Sequence, residues 1–507
     1  MQFRPAGWRA MPGGGRDAAG VIRLAEPKAT TGTPRFGGET DPTAYPPVSP
    51  IAGVEWTPVY LGFMLYVFVV TTYMLDAGTL AMGAALIGLI FLRGGIRFPV
   101  LLGWLAIFIL WGIIGYAQTR YPHAVWERLI LLSKLWLVAL AAANALRTSR
   151  QLRLFIIFFL ACYALFPVRG ALMNKFFYGH NVAGRVVWNH IFENPNDLAA
   201  LTLLQVSMVV GLLVTEPKGW VKWAAIAGAG VLPLLILMTQ SRGAILALAI
   251  VGVIGVWSQR KQLRKLLTPK RRTRLRLAAV AIGAFVLISA PRAVWDRLSG
   301  LTRATSTARL GEVDEEGSAR QRWAIWKIAW QVAAQDPLIG VGVGAYPFAH
   351  LSVARLGGKV DPLMASRLTC VKTNTGTSPT TTTSRVVTCE DLPNARGFRD
   401  AHSTYLYVLA ETGVVGLLIF SALFITTVVG VERIRRRARE YLPRQALQLF
   451  YLELGLLAFF LAGIFGSFSQ LSFLYIHLVL VWAASEVLRR DMLLLRQQAA
   501  VPMSGVL

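Results

Sequence analysis

The residues that could do chemistry in this chain are few, and they stand where apolar runs end. His402, in FRDAHSTYLYVLAETGVVGLL, lies between a polar loop and an apolar run. There an imidazole could take a proton from a substrate hydroxyl. A lone histidine is more often structural, and His123, His350 and His477 are read that way. Arg242, in MTQSRGAILALA, sits between two apolar runs with only a tight turn around it, and Gly243 lets the backbone turn or a ligand approach. Charge at a membrane helix end is costly without a partner, which makes Arg242 a functional candidate. An arginine anchored to lipid headgroups would give the same pattern. Glu411 lies nine residues into the run that His402 opens, where a carboxylate is expensive unless paired.

Three further groups surround these. Arg320, Arg322 and Lys327 interleave with Trp323, Trp326 and Trp330 at helical spacing, the pattern of an amphipathic helix at a membrane interface. Gly340, Gly342 and Gly344 resemble a phosphate cradle superficially. No strand precedes them, so a tight turn after Asp336-Pro337 is the expectation. Arg185 falls in VRGALMNKFFYGHNVAGRVVWNHIFENPNDLAA, where Asn196 and Asp197 are expected to cap the following helix.

What positions these residues is a membrane bundle. The 507 residues are 55% hydrophobic and carry a formal charge of +26. In a soluble chain that charge would suggest nucleic acid. Apolar runs of the roughly 20 residues needed to span a bilayer decide otherwise. The chain reads as an all-α polytopic membrane protein with about twelve spans, from 54–75 to 469–488. Nine fall within 54–290 and three within 402–488; the run at 78–92 is short.

Residues 1–53 form a Gly-, Pro- and Arg-rich tail with no apolar core, expected to be disordered and cytoplasmic because no signal-peptide run precedes the first span. RKQLRKLLTPKRRTRLR holds nine basic residues and no acid, whereas ten of the 26 acids fall in the loop 291–401. The basic segments belong inside, so this loop belongs outside, and the tail 489–507 returns to the cytoplasm. Within the loop, a Thr-rich insert lies between Cys370 and Cys389, which could close it as a disulfide in an oxidising compartment.

Four stretches in order, NPNDLAA, TQSRGAILAL, RWAIWKIAWQVAAQDPLIGVGVGAY and AHSTYLYVLAETGVVGLL, resemble the O-antigen ligase and O-antigen polymerase superfamily of bacterial envelope glycosyltransferases over about 185–425. The resemblance implies a C-type glycosyltransferase-like architecture in the inner membrane, with the large loop and the active site in the periplasm. It implies transfer of a glycan from undecaprenyl diphosphate to a hydroxyl of the lipid A core, a polysaccharide or a protein, with no cofactor or metal and no nucleic-acid partner. Arg242 and Arg322, with Arg185, would hold the diphosphate, and His402 would activate the acceptor. Arg320, Gly340, Gly342 and Glu411 would support them. Many members carry Asn after the histidine, where this chain has Ser403.

The forked, permanently charged guanidinium suits phosphate, and a base opposite the leaving group would invert the anomeric carbon. Polysaccharide polymerase and protein O-oligosaccharyltransferase share these motifs. A secondary transporter is the rival from another class, but it would place its site near the bilayer midplane, often on internal repeats. The chain shows no repeat, and its ionisable residues crowd the outer face.

Overall fold

The computed structural model describes residues 53–266, 318–356 and 399–500, Lys218 excepted, and scattered positions between 269 and 288. The expected span at 275–290 lies largely outside the described residues, as do the tail, the charged stretch 291–317 and the insert with its two cysteines.

The helices in order are α1 (Pro58–Thr72), α2 (Gly78–Ile90), α3 (Val100–Gln118), α4 (Pro122–Ala145), α5 (Ser149–Tyr163), α6 (Arg169–Phe176), α7 (Pro195–Thr215), α8 (Trp220–Met238) and α9 (Arg242–Leu266). After the undescribed stretch come α10 (Ser318–Gln335), α11 (Tyr346–Leu356), α12 (Thr404–Ala438), α13 (Pro443–Ala462) and α14 (Ser472–Ala500). Among the described residues nine helical segments are long and apolar enough to cross a membrane, and α1 and α2 are shorter apolar helices. A two-stranded hairpin, β1 (Asn181–Val182) with β2 (Arg185–Val186), interrupts the helices before α7. The protein is thus an all-α polytopic membrane protein.

Local chemistry sets the boundaries. Proline opens α1, α4, α7 and α13, where its missing N–H costs nothing. Thr148 and Gln151 form a reciprocal capping box on α5. The cap of α7 corrects the expectation from sequence: Asn194 is the N-cap and accepts from the Asn196 N–H at 2.9 Å. Asn196 and Asp197 lie inside the first turn, because Pro195 occupies the first helical position.

A chain of buried rings joins α1, α5, α14 and the turn before α7. Phe63 and Phe155 lie 5.3 Å apart, Phe159 and Phe473 5.6 Å, and Phe192 and Phe473 5.8 Å. At the start of α5 the buried Arg153 grips Glu216, at the end of α7, through two bonds of 2.6 and 2.9 Å.

One break in this regular packing matters for the site. Gly413 in α12 takes φ 66 and ψ −173, so the helix interrupts itself there and leaves carbonyls without their usual donors. The turn after α10 supplies substitutes. Val341 N–H donates to the Ala410 carbonyl at 3.0 Å and Gly342 N–H to the Glu411 carbonyl at 2.9 Å. Val414 N–H donates back to the Pro337 carbonyl at 2.8 Å, and the Trp111 indole takes the Thr412 carbonyl at 2.9 Å. The two backbones run so close that a Cβ at Gly413 would strike the Leu338 carbonyl.

Candidate active site

The polar loop carrying His402 folds onto the connection between α13 and α14, residues 463–471. Thr404 is the clasp: its hydroxyl donates to the Gly466 carbonyl at 2.7 Å and accepts from the Phe468 N–H at 3.0 Å. Tyr475 pins the far side of this connection through the Ser469 carbonyl at 2.7 Å. Phe465, in the same connection, stacks on Trp326 of α10 with centroids 6.3 Å apart. The other side of Phe465 lies against Gly243, where an added Cβ would come 3.0 Å from its ring. Arg242 opens α9 beside Gly243, and Arg322 lies one turn before Trp326 on the same side of α10. One short connection therefore gathers the segments bearing Arg242, Arg322 and His402. All three side chains are half-buried.

His402 itself is strained. Its φ of 47 puts a non-glycine residue in the left-handed region, a cost found preferentially at functional sites. Burial, together with the positive charges of Arg322 and Arg399 and the neighbouring His350, pushes its imidazole down to about 4. It is therefore neutral near pH 7, with a ring nitrogen able to accept a proton. Two residues earlier, burial raises the Asp400 carboxyl against the opposing pull of Arg128. Ser403, buried beside the histidine, starts α12 through its carbonyl, which accepts the Tyr407 N–H at 2.9 Å.

Arg185 is placed by neighbours far away in sequence. Its Nε donates to the Thr239 carbonyl at 2.7 Å and its Nη2 to the Asn196 side chain at 2.8 Å. Thr239 ends α8 and Gln240 follows with φ 54, so Arg185 buttresses the turn that delivers Arg242.

The supporting residues serve the backbone. Gly340 gives its N–H to the Asp336 carbonyl at 2.9 Å, and Gly342 gives its own to Glu411 as above. Both adopt positive φ, and this is the tight turn expected, joined to the break in α12. The Glu411 carboxylate is 2% exposed and held by the Tyr346 N–H and the Gln470 amide, each at 3.4 Å, with Arg128 nearby. It is hydrogen-bonded on both oxygens. Arg320 lies in the first turn of α10. Of the tryptophans, Trp323 and Trp330 are exposed while Trp326 turns inward to Phe465. His350 and His477 are buried in hydrogen bonds to Tyr346 and the Leu452 carbonyl at 3.0 and 2.9 Å, in keeping with structural roles.

Three residues that sequence reasoning passed over shape the site: Phe465, Thr404 and Gln470. The stretch GIFGSFSQL carries two glycines, two serines and a glutamine between apolar runs, which was the available signal.

No curated protein matches the chain. A family model described as O-antigen ligase matches residues 224–421, which run from within α8 into α12 and include Arg242, Arg322 and His402 but not Arg185. This match, over the segments that meet at the 463–471 connection, identifies an O-antigen ligase domain over residues 224–421 and supports the resemblance to the O-antigen ligase and polymerase superfamily.

Proposed function

We propose that the protein transfers a glycan from undecaprenyl diphosphate to an acceptor hydroxyl at the periplasmic face of the inner membrane, with inversion at the anomeric carbon and with guanidinium groups in the place of a metal. The observation that carries this reading is the gathering of Arg242, Arg322 and His402 around Phe465 and Thr404, with the charge of Arg322 acting on the imidazole. Arg242, Arg322 and Arg185 hold the diphosphate, and Arg185 also keeps the turn bearing Arg242 in place. The acceptor oxygen forms its bond to the anomeric carbon as the bond to the diphosphate breaks. The diphosphate leaves with the electron pair, and the proton goes to His402.

The electrostatics suit that order of events. A base at about 4 is weak at neutral pH. A diphosphate beside Arg322 offsets the charge that depresses it and raises its proton affinity. The base thus strengthens when the donor is in place. The O-antigen ligase domain supports ligase- or polymerase-type transfer in general, and the proposed acceptor is the lipid A core.

The test is donor binding and transfer measured on the same purified variants. His402→Ala should bind the lipid-linked donor as the parent does and lose about 10²–10⁴ in turnover. Arg322→Lys keeps the charge but not the fork, and should weaken donor use without unfolding the protein. Transfer by His402→Ala at the parent rate would overturn the mechanism.

A further inference from the structure

At the end of the bundle where Arg153 meets Glu216, the connection between α2 and α3 folds over the last turn of α4. Asn144, fully buried in that turn, clamps the connection by its main chain. Its Oδ1 accepts the Arg97 N–H at 2.7 Å, and its Nδ2 donates to the Arg97 carbonyl at 3.0 Å. Arg147 completes the fold. It donates to the Gly95 carbonyl at 2.6 Å, the Arg93 carbonyl at 3.3 Å, and the Asn144 carbonyl and Oδ1 at 3.1 and 2.8 Å. These acceptors are neutral and occupy most of the guanidinium's five N–H groups, so Arg147 builds the loop.

Arg97 is held differently. Its backbone is fixed twice, yet its half-buried guanidinium has no hydrogen bond and no carboxylate within 4 Å among the described residues. Burial pushes that guanidinium below its ordinary range, and Arg490 and Arg489 of α14 push the same way, against the pull of Glu486. Glu486 is already engaged by Arg489 through two bonds of 2.6 and 3.0 Å. Burial also lowers Arg147, and Arg97 adds to the fall. Four arginines therefore act on one another here, with Glu486 bonded to one and Asp491 close to another. A half-buried cation in this setting is costly until an anion reaches it.

The surface around Arg97 is apolar. Phe91, Ile96, Phe98 and Val100 are exposed on either side of it. Val100 opens α3, one of the helices long and apolar enough to cross a membrane. Arg489 and Arg490 are themselves exposed. An unneutralised guanidinium bordered by exposed apolar side chains matches the level at which headgroup phosphates sit above acyl chains.

We infer that Arg97 binds the phosphate of an anionic phospholipid, with the exposed Arg490 beside the headgroup and the acyl chains along Phe98 and Val100. The forked guanidinium suits phosphate oxygens, and the charge of the neighbouring loops assigns this end to the cytoplasmic leaflet. The lipid is a resident of the bilayer, and the site asks nothing of the transfer reaction. Its role is to supply the counter-charge that the protein lacks there.

The test uses the full-length protein in detergent and native mass spectrometry with cardiolipin, phosphatidylglycerol, phosphatidylethanolamine and inorganic phosphate. An anionic lipid should bind about tenfold or more tightly than phosphatidylethanolamine, roughly the worth of one charged hydrogen bond. Arg97→Gln should remove most of that preference and Arg97→Lys should keep part of it. Both variants retain the clamp, because Asn144 holds only the main chain of residue 97. Arg260→Gln is the control for a merely basic surface. Arg260 is exposed near the end of α9 and lies over Trp257 at 4.1 Å, and its loss should leave the preference unchanged. Equal binding by the parent and Arg97→Gln would overturn the site, as would an equal fall in Arg260→Gln or no preference over phosphatidylethanolamine. Inorganic phosphate binding as tightly as the lipids would also overturn it, since the acyl chains would then contribute nothing.

Discussion

Helix α7 carries a different use of arginine at each end. At its C-terminal end Glu216 takes both arms of Arg153, and the two side chains are 2% and 9% exposed. At its N-terminal end, 21 residues or about 30 Å away, Arg185 is held by an amide oxygen on Asn196 and a carbonyl on Thr239. A carboxylate partner cancels the charge it positions, whereas an amide oxygen and a carbonyl orient a guanidinium without themselves adding a counter-charge. The same contrast continues towards the paired end in Arg435 with Glu453 at 2.8 Å. At the other end, Arg322 and Arg399 both depress His402. At one end of the bundle arginine fastens helices, and at the other the positive charges of Arg322 and Arg399 act on the candidate base.

The comparison is broken most directly by removing a fastener. Glu216→Gln leaves Arg153 buried without its counter-charge, and should cost about 3–5 kcal/mol of stability. The expected readout is a lower thermal midpoint and a lower yield of folded protein in detergent. Transfer per folded molecule should stay near the parent value, since Glu216 lies at the far end of α7. A full loss of activity in the fraction that folds would mean that the two ends are not separate in function.

Turning the neutral clamp into a charged one sharpens the contrast. Asn196→Asp preserves the shape that receives Arg185 and adds a negative charge beside it. Donor affinity should fall by about tenfold, roughly the worth of one charged hydrogen bond to phosphate, with the thermal midpoint held or slightly raised. Titration of donor binding in both proteins decides it. Unchanged affinity would show that the charge of Arg185 plays no part in binding.

Much of this organisation was legible in the sequence because a bilayer imposes length. Apolar runs of span length located the helices, and charge at their ends located Arg242 and His402. What was hidden depends on partners distant in the chain. The partners of Arg185 lie 11 and 54 residues away, and nothing local marks them. The connection GIFGSFSQL looks like an ordinary turn until Phe465 is seen between Gly243 and Trp326. The break at Gly413 looks like one glycine in an apolar run, since the donors that permit it come from residues 341 and 342. The cap of α7 departs from the expected Asn196 and Asp197 for a local reason: Pro195 at the first helical position makes Asn194 the cap.

The smallest expected effect tests the field itself. Burial and nearby positive charge hold His402 down to about 4, and Arg399 is one source of that charge. Removing a positive charge favours the protonated imidazole, so Arg399→Gln should raise the value towards the ordinary 6.5. The free base is then lost earlier as pH falls, and the acid limb of the kcat/KM profile should move to higher pH. Because burial is the larger cause, the move should be less than about one pH unit. Activity well above the limb should change little. Arg322→Gln would move the limb the same way but also strip a donor contact, so Arg399 is the cleaner probe. A limb that stays in place, or moves to lower pH, would mean that His402 is not the group that titrates in the profile. The base would then have to be sought elsewhere along the segment between Arg399 and Thr404.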